Sequence, residues 1–259
     1  MRYTYRIGIL LLAVLLFCAC RPVTRPSAAA APALDPAITA KIDAIVRQAM
    51  TANPIPGFQM CVVKDGAVVY NKGFGLADIA AGRPMTPQSV MILASISKSM
   101  TAMAVLRLVE QGKIDLDARV TDYLPYFTMA DPRYKGITVR MLLSHRSGMP
   151  DTPVYWEEPL EPTLNPLEQA VRDLSDKQLL FAPGADWSYS SYGYSALGAI
   201  IAALTGKQYE LYMQEEWLTP LGMTHSTFVL GDVDPAQRVA IYGTDDQGNA
   251  APTTSACDE

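Results

Sequence analysis

Apolar and polar positions divide the chain into a leader, a tether and a body. Behind Arg2 and Arg6 runs an unbroken apolar stretch from Ile7 to Phe17. As a helix it would rise only about 16 Å, too short for a bilayer but suited to a signal peptide. Residues 1–20 are therefore expected to be a leader, and 21–36, built of Ala, Pro, Ser and Arg, a flexible linker. The body, 37–259, opens on Asp35-Pro36, an N-cap followed by proline at the first helical position. Ile38, Ile42, Ile45 and Ala49 then repeat at helical spacing, predicting an amphipathic helix over 36–51. Strand-like runs at 58–64 and 67–75 are joined by Asp65-Gly66, a short-range hairpin signal.

Further along, an apolar helix is expected over 91–111 and short helices over 138–145 and 165–174. A small-residue apolar helix follows at 193–204, then another at 207–217, with extended pieces at 226–231 and 238–242. A lone hairpin is barely stable in water. Here it has few later strands to pair with, so either the tail pieces serve or the remaining strands lie beyond Glu259.

Composition fits a globular domain with a large core: 49% of residues are hydrophobic and 18% charged. The net charge of −5 and the lack of any Lys/Arg run argue against a nucleic-acid partner, and none is expected. Two histidines 80 positions apart and no Cys/His spacing give no metal site, and no cofactor motif is present. Phe17-Cys18-Ala19-Cys20 resembles a lipoprotein cleavage box with Cys20 as the lipidated residue. The only expected membrane contact is that anchor, on an exported, monomeric bacterial protein at the periplasm or cell surface. After export two cysteines remain, Cys61, expected as a buried inert thiol in its apolar strand, and Cys257, with a bridge between them left open.

Candidate chemistry gathers at two places. Ser95-Ile96-Ser97-Lys98 opens the apolar helix, and residues three apart share a helix face, so Lys98 can lie against the Ser95 hydroxyl. With 14 Ser and 8 Lys in the chain, the spacing alone arises about 0.4 times by chance. Context adds weight, because Lys98 is the only charged residue between Arg83 and Arg107. A cation there is expected to be buried, where it could take or steer a proton. An ordinary helix lysine reaching out to solvent would look the same. The second place is Trp187-Ser188-Tyr189-Ser190-Ser191 after the Pro183-Gly184 turn. A tyrosine beside a lysine can serve as a base if cations stabilise its phenolate; otherwise this is an aromatic loop capping a helix. A Gly-x-Ser-x-Gly elbow does not occur, and Ser195 falls inside a predicted helix. His145 is expected only to organise the loop around Ser147 and Gly148.

Leu93-Ala94-Ser95-Ile96-Ser97-Lys98-Ser99-Met100-Thr101-Ala102 resembles the nucleophile segment of the serine β-lactamase and penicillin-binding-protein superfamily, in particular the branch related to class C β-lactamases, with its esterases and D-alanyl-D-alanine peptidases. Leu142-Leu143-Ser144-His145-Arg146-Ser147-Gly148, the Phe181 to Tyr189-Ser190-Ser191 segment and Pro220-Leu221-Gly222-Met223 are similar to segments of that branch. The resemblance implies an antiparallel sheet flanked by helices, plus a mainly helical subdomain. It implies an acyl-enzyme on Ser95, with Lys98 tuning the proton transfer, Tyr189 as general base and the Ser95 N–H as one oxyanion donor. The substrate would be a carbonyl compound, either a small ester, a D-amino-acid peptide or a β-lactam, with ester or peptide favoured. Ser191 would face that substrate, in a position where the branch has Asn. The branch's third motif, Lys-Thr-Gly or His-x-Gly on a late strand, does not follow Tyr189; His225-Ser226-Thr227 lacks the glycine. The chain is accordingly expected to lack late sheet strands, and a non-catalytic relative that binds cell-wall peptide or a partner stands as the alternative.

Overall fold

The computed structural model describes residues 34–151 and 165–252. Helix α1 (Pro36–Ala52) begins as expected, with the Asp35 side chain accepting from the Ala37 N–H at 2.7 Å. Strands β1 (Gly57–Lys64) and β2 (Ala67–Asp78) form the antiparallel hairpin. Asp65 and Gly66 both take positive φ, 52° and 75°, as a two-residue turn matched to strand twist requires. A two-residue strand β3 (Arg83–Pro84), lying between the hairpin and the helical part, completes the sheet in the order β1-β2-β3.

One side of the hairpin packs on α1. Val46 of the helix meets Tyr70 and Phe74 of β2, with Met60 and Val62 at the margin. Asp43 of α1 fastens the two layers: the Tyr70 hydroxyl donates to one carboxylate oxygen at 2.6 Å and Lys72 to the other at 2.5 Å. Met60 and Val62 face the helix, so strand alternation turns Cys61 the other way. Cys61 is exposed, which corrects the expectation of a buried thiol. Cys20 and Cys257 lie outside the described residues.

The larger core belongs to the helical part. A single 3₁₀ turn (Ala94–Ile96) leads into α2 (Ser97–Glu110), so the helix expected from 91 starts later. The short helices α3 (Val120–Tyr123), α4 (Val139–Leu143) and α5 (Pro166–Arg172) surround α6 (Ser191–Thr205). Ala196, Leu197, Gly198, Ala199, Ile200 and Ile201 are all buried, so α6 is covered all round rather than on one stripe. Its small residues permit this: a Cβ on Gly198 would stand 2.9 Å from Leu167 of α5. Val105 and Leu108 of α2 and Leu142 of α4 join the same cluster. Each such side chain contributes about 1.5–3 kcal/mol by leaving water. After α6 comes α7 (Tyr209–Met213), which widens into a π turn over Gln214–Leu218.

Strands β4 (Tyr242–Thr244) and β5 (Ala250–Pro252) pair only with each other among the described residues. They do not extend the hairpin sheet as a ladder; the tail reaches it through the Ala240 N–H, which donates to Ala77 O of β2 at 2.9 Å, and through Arg83 of β3, which donates to the Arg238 carbonyl, beside a parallel bridge between Val90 and Arg238. Residues 226–231 are not a strand; the segment bends into a 3₁₀ turn at Leu230–Asp232. The whole is α+β, with an antiparallel sheet and a mainly helical part meeting where α2 begins.

Candidate active site

Ser95 occupies the middle of the 3₁₀ turn, two residues ahead of α2. The preceding residue, Ala94, has φ 45°. A non-glycine residue held there costs on the order of 1–3 kcal/mol and persists only when its surroundings fix it. The first N–H groups of such a turn have no acceptor within the helix and, with the helix dipole, favour negative charge beside Ser95.

Lys98 lies one turn on, and its Nζ donates to Ser95 Oγ at 3.1 Å. The Tyr189 hydroxyl donates to the same oxygen at 2.6 Å, across a separation of 94 residues. Lys98 also sits over the Tyr189 ring, 4.9 Å from its centroid, and reaches Ser191 Oγ at 3.5 Å. Thus the four residues singled out from the sequence come together. The expectation of a buried lysine needs correction: Lys98 is half-buried, and the Ser95 beside it is exposed.

Tyr189 is placed by the start of α6. The next residue, Ser190, is only 1% exposed and is the helix N-cap: its Oγ accepts from the Gly193 N–H at 3.2 Å and donates to the Pro150 carbonyl at 2.8 Å. Asp151 Oδ1 accepts from the Ser191 N–H at 2.7 Å, a carboxylate at the positive end of a 15-residue helix. Burial works to raise the Tyr189 phenol. Hydrogen bonds from Lys98 and to Ser95, the Lys98 charge and Ser191 outweigh it, and the group lies below its ordinary value of 10.0.

Two further segments brace this region. Gly148 takes φ 78° because a Cβ there would sit 2.4 Å from the Phe181 carbonyl oxygen; Gly148 O in turn accepts from the Leu180 N–H at 2.8 Å. Arg146 donates to Gly184 O at 2.6 Å and accepts from the Gly184 N–H at 2.8 Å. Sequence reasoning missed how close His145 comes to the chemistry. Its ring stacks on Tyr189 with centroids 4.6 Å apart and lies 5.2 Å from Tyr194. Ser195 is inside α6, its hydroxyl directed to the Ser191 carbonyl at 3.4 Å, as expected of a packing residue.

Comparison with known proteins agrees with this arrangement. The family model described as Beta-lactamase matches residues 42–256. Protein flp of Staphylococcus aureus (strain COL) is 33% identical over 192 residues, covering 73% of this chain and 38% of that protein. Esterase EstB of Burkholderia gladioli is 34% identical over 208 residues, covering 74% of this chain and 52% of the esterase. The octameric penicillin-binding protein homologue from Pyrococcus abyssi superposes with a TM-score of 0.71 at 32% identity, over 83% of this chain and 50% of that one. The chain thus spans about half the length, or less, of these relatives.

Proposed function

Since this chain belongs to the Beta-lactamase family, we propose that it is a serine hydrolase that works through an acyl-enzyme on Ser95. The observation that carries the reading is the double engagement of Ser95 Oγ, by the Tyr189 hydroxyl at 2.6 Å and by Lys98 Nζ at 3.1 Å. An unaided serine hydroxyl is a weak nucleophile and needs an adjacent base. Tyr189, with its phenol lowered in this setting, is the group that takes the Ser95 proton as the oxygen attacks a carbonyl carbon. Lys98 holds the phenolate and the hydroxyl in line and compensates the negative charge. The tetrahedral oxyanion is met by the Ser95 N–H at the positive end of the turn. Its collapse expels the leaving group, which receives the proton from Tyr189; water then takes the same route in reverse and frees Ser95.

An ester or D-amino-acid peptide suits the site better than a β-lactam. The kinship with an esterase supports this order. A second reading, a binder of cell-wall peptide without turnover, is favoured by the exposure of Ser95. We further propose that the protein works outside the cytoplasmic membrane, tethered by a lipid on Cys20. Incorporation of labelled palmitate that disappears in Cys20→Ala tests this.

A fluorophosphonate probe decides between enzyme and binder. Covalent labelling of the full chain that is lost in Ser95→Ala, and reduced in Lys98→Ala, supports the hydrolase. A folded sample left unlabelled at millimolar probe overturns it.

A further inference from the structure

We propose that His145 is a positioning residue for Tyr189, a neutral imidazole that clamps the phenol against Ser95; the proposal rests on the hydrolase reading above. The argument starts with the backbone. Helix α4 ends in a two-bond closure: the His145 N–H donates to Leu142 O at 3.2 Å and the Arg146 N–H to Met141 O at 2.8 Å. In that closure the residue at the His145 position takes a left-handed conformation, which glycine adopts at no cost. His145 does so at φ 55°. A side chain kept where glycine would be easier calls for something that the side chain does.

What it does is grip three consecutive residues. The His145 carbonyl accepts from the Ser188 N–H at 2.9 Å. Its ring stacks on Tyr189 at 4.6 Å, with 30° between planes. Nδ1 accepts from the Ser190 N–H at 3.2 Å. Trp187 and Tyr194 close the ring in from two other sides, at 6.1 and 5.2 Å. The bond to Ser190 requires a lone pair on Nδ1, so the clamp holds while the proton sits on Nε2. The ionisable groups facing the ring are Lys98 from α2, Asp151 from the loop, and Tyr189 and Tyr194 from the segment around the start of α6. Burial first, then the Lys98 charge, hold His145 below its ordinary 6.5 against the pull of Asp151, which keeps the imidazole neutral at pH 7.

The test compares His145→Gly, which relaxes the backbone and removes the clamp, with His145→Asn, which tolerates the left-handed conformation and restores a short acceptor. Fluorophosphonate labelling of Ser95 is expected to slow about 10- to 100-fold in the glycine variant and to recover in part in the asparagine variant, as displacement of a catalytic group by about 1 Å would cause. Isotope-labelled tyrosine ring carbons, with Tyr189 assigned through Tyr189→Phe, give a readout that needs no activity. The Tyr189 signal should move in both variants, and in the unaltered protein it should pass through a transition below pH 6.5. Labelling rates within about twofold of the unaltered protein in both variants overturn the clamp. So does a Tyr189 signal that neither variant shifts. An unaltered protein that takes no label sinks the hydrolase reading instead, and the Tyr189 signal still decides the role of His145.

Discussion

The Tyr189 hydroxyl stands 2.6 Å from Ser95 Oγ, bringing the middle of a 3₁₀ turn on one side of the helical core to the residue just ahead of the α6 N-cap on the other. Nothing in the local sequence of either segment demands that meeting. It follows from α2 and α6 sharing one buried cluster, in which Val105 and Leu108 lie with Leu197 and Ile200.

Removing the phenolic oxygen leaves that packing intact. Tyr189→Phe should keep its melting temperature within a few degrees while the acylation rate falls by about 10²- to 10⁴-fold, the usual worth of a positioned base. Stopped-flow release of a chromophore from an activated ester measures it. A loss below tenfold would move the base elsewhere.

The acylation rate should depend on pH through the same group. Tyr189 acts when deprotonated, and its phenol is held below 10.0, so the rate should rise with pH along a limb whose midpoint falls below that value. In Tyr189→Phe the limb should vanish. A midpoint at or above 10 would contradict the role of Lys98 as its stabiliser.

Asp43 predicts a stability effect far from the site. The Lys72 hydrogen bond, followed by that of Tyr70, lowers its carboxyl from 3.8. A carboxyl depressed in the folded state binds fewer protons there than in the unfolded chain. Its contribution is therefore complete above the unfolded value and is lost as pH falls through the folded one, below 3.8. Urea midpoints between pH 2 and 6 should drop more steeply in the natural protein than in Asp43→Asn, which should be less stable at neutral pH.

Gly148 offers a sharper structural test. A Cβ at that position would combine a φ of 78° with a 2.4 Å approach to the Phe181 carbonyl. Gly148→Ala should cost about 2 kcal/mol or more and loosen the hydrogen bond from the Leu180 N–H to the Gly148 carbonyl. Chemical denaturation checks the first consequence. Faster amide exchange at Leu180 checks the second.

Much of this was legible in the chain itself because local signals and tertiary demands agree. The Asp35 cap, the Asp65-Gly66 turn and the all-apolar face of 193–204 each specify their element with few neighbours involved. The Ser95, Lys98, Tyr189 and Ser191 group was visible through spacing and family resemblance. Other features depend on contacts that no short window contains. Arg83 and Pro84 become a strand only because β2 is long enough to offer a partner. Cys61 looks buried in an apolar run, yet which of its faces is covered is set by α1, through Met60 and Val62. Residues 226–231 carry β-branched and aromatic side chains but find no strand to pair with among the described residues. The place of His145 could have been suspected from a helix ending at Leu143 without glycine after it.

The cap on α6 also sets how the molecule should fail. Ser190 holds the helix start from both sides, and the reacting phenol is the residue immediately outside it. Helix ends open at lower free energy than helix centres, so warming should unmoor Tyr189 while Ala196 to Ile201 are still packed. Catalytic output ought then to fade at temperatures where circular dichroism still reports an intact fold.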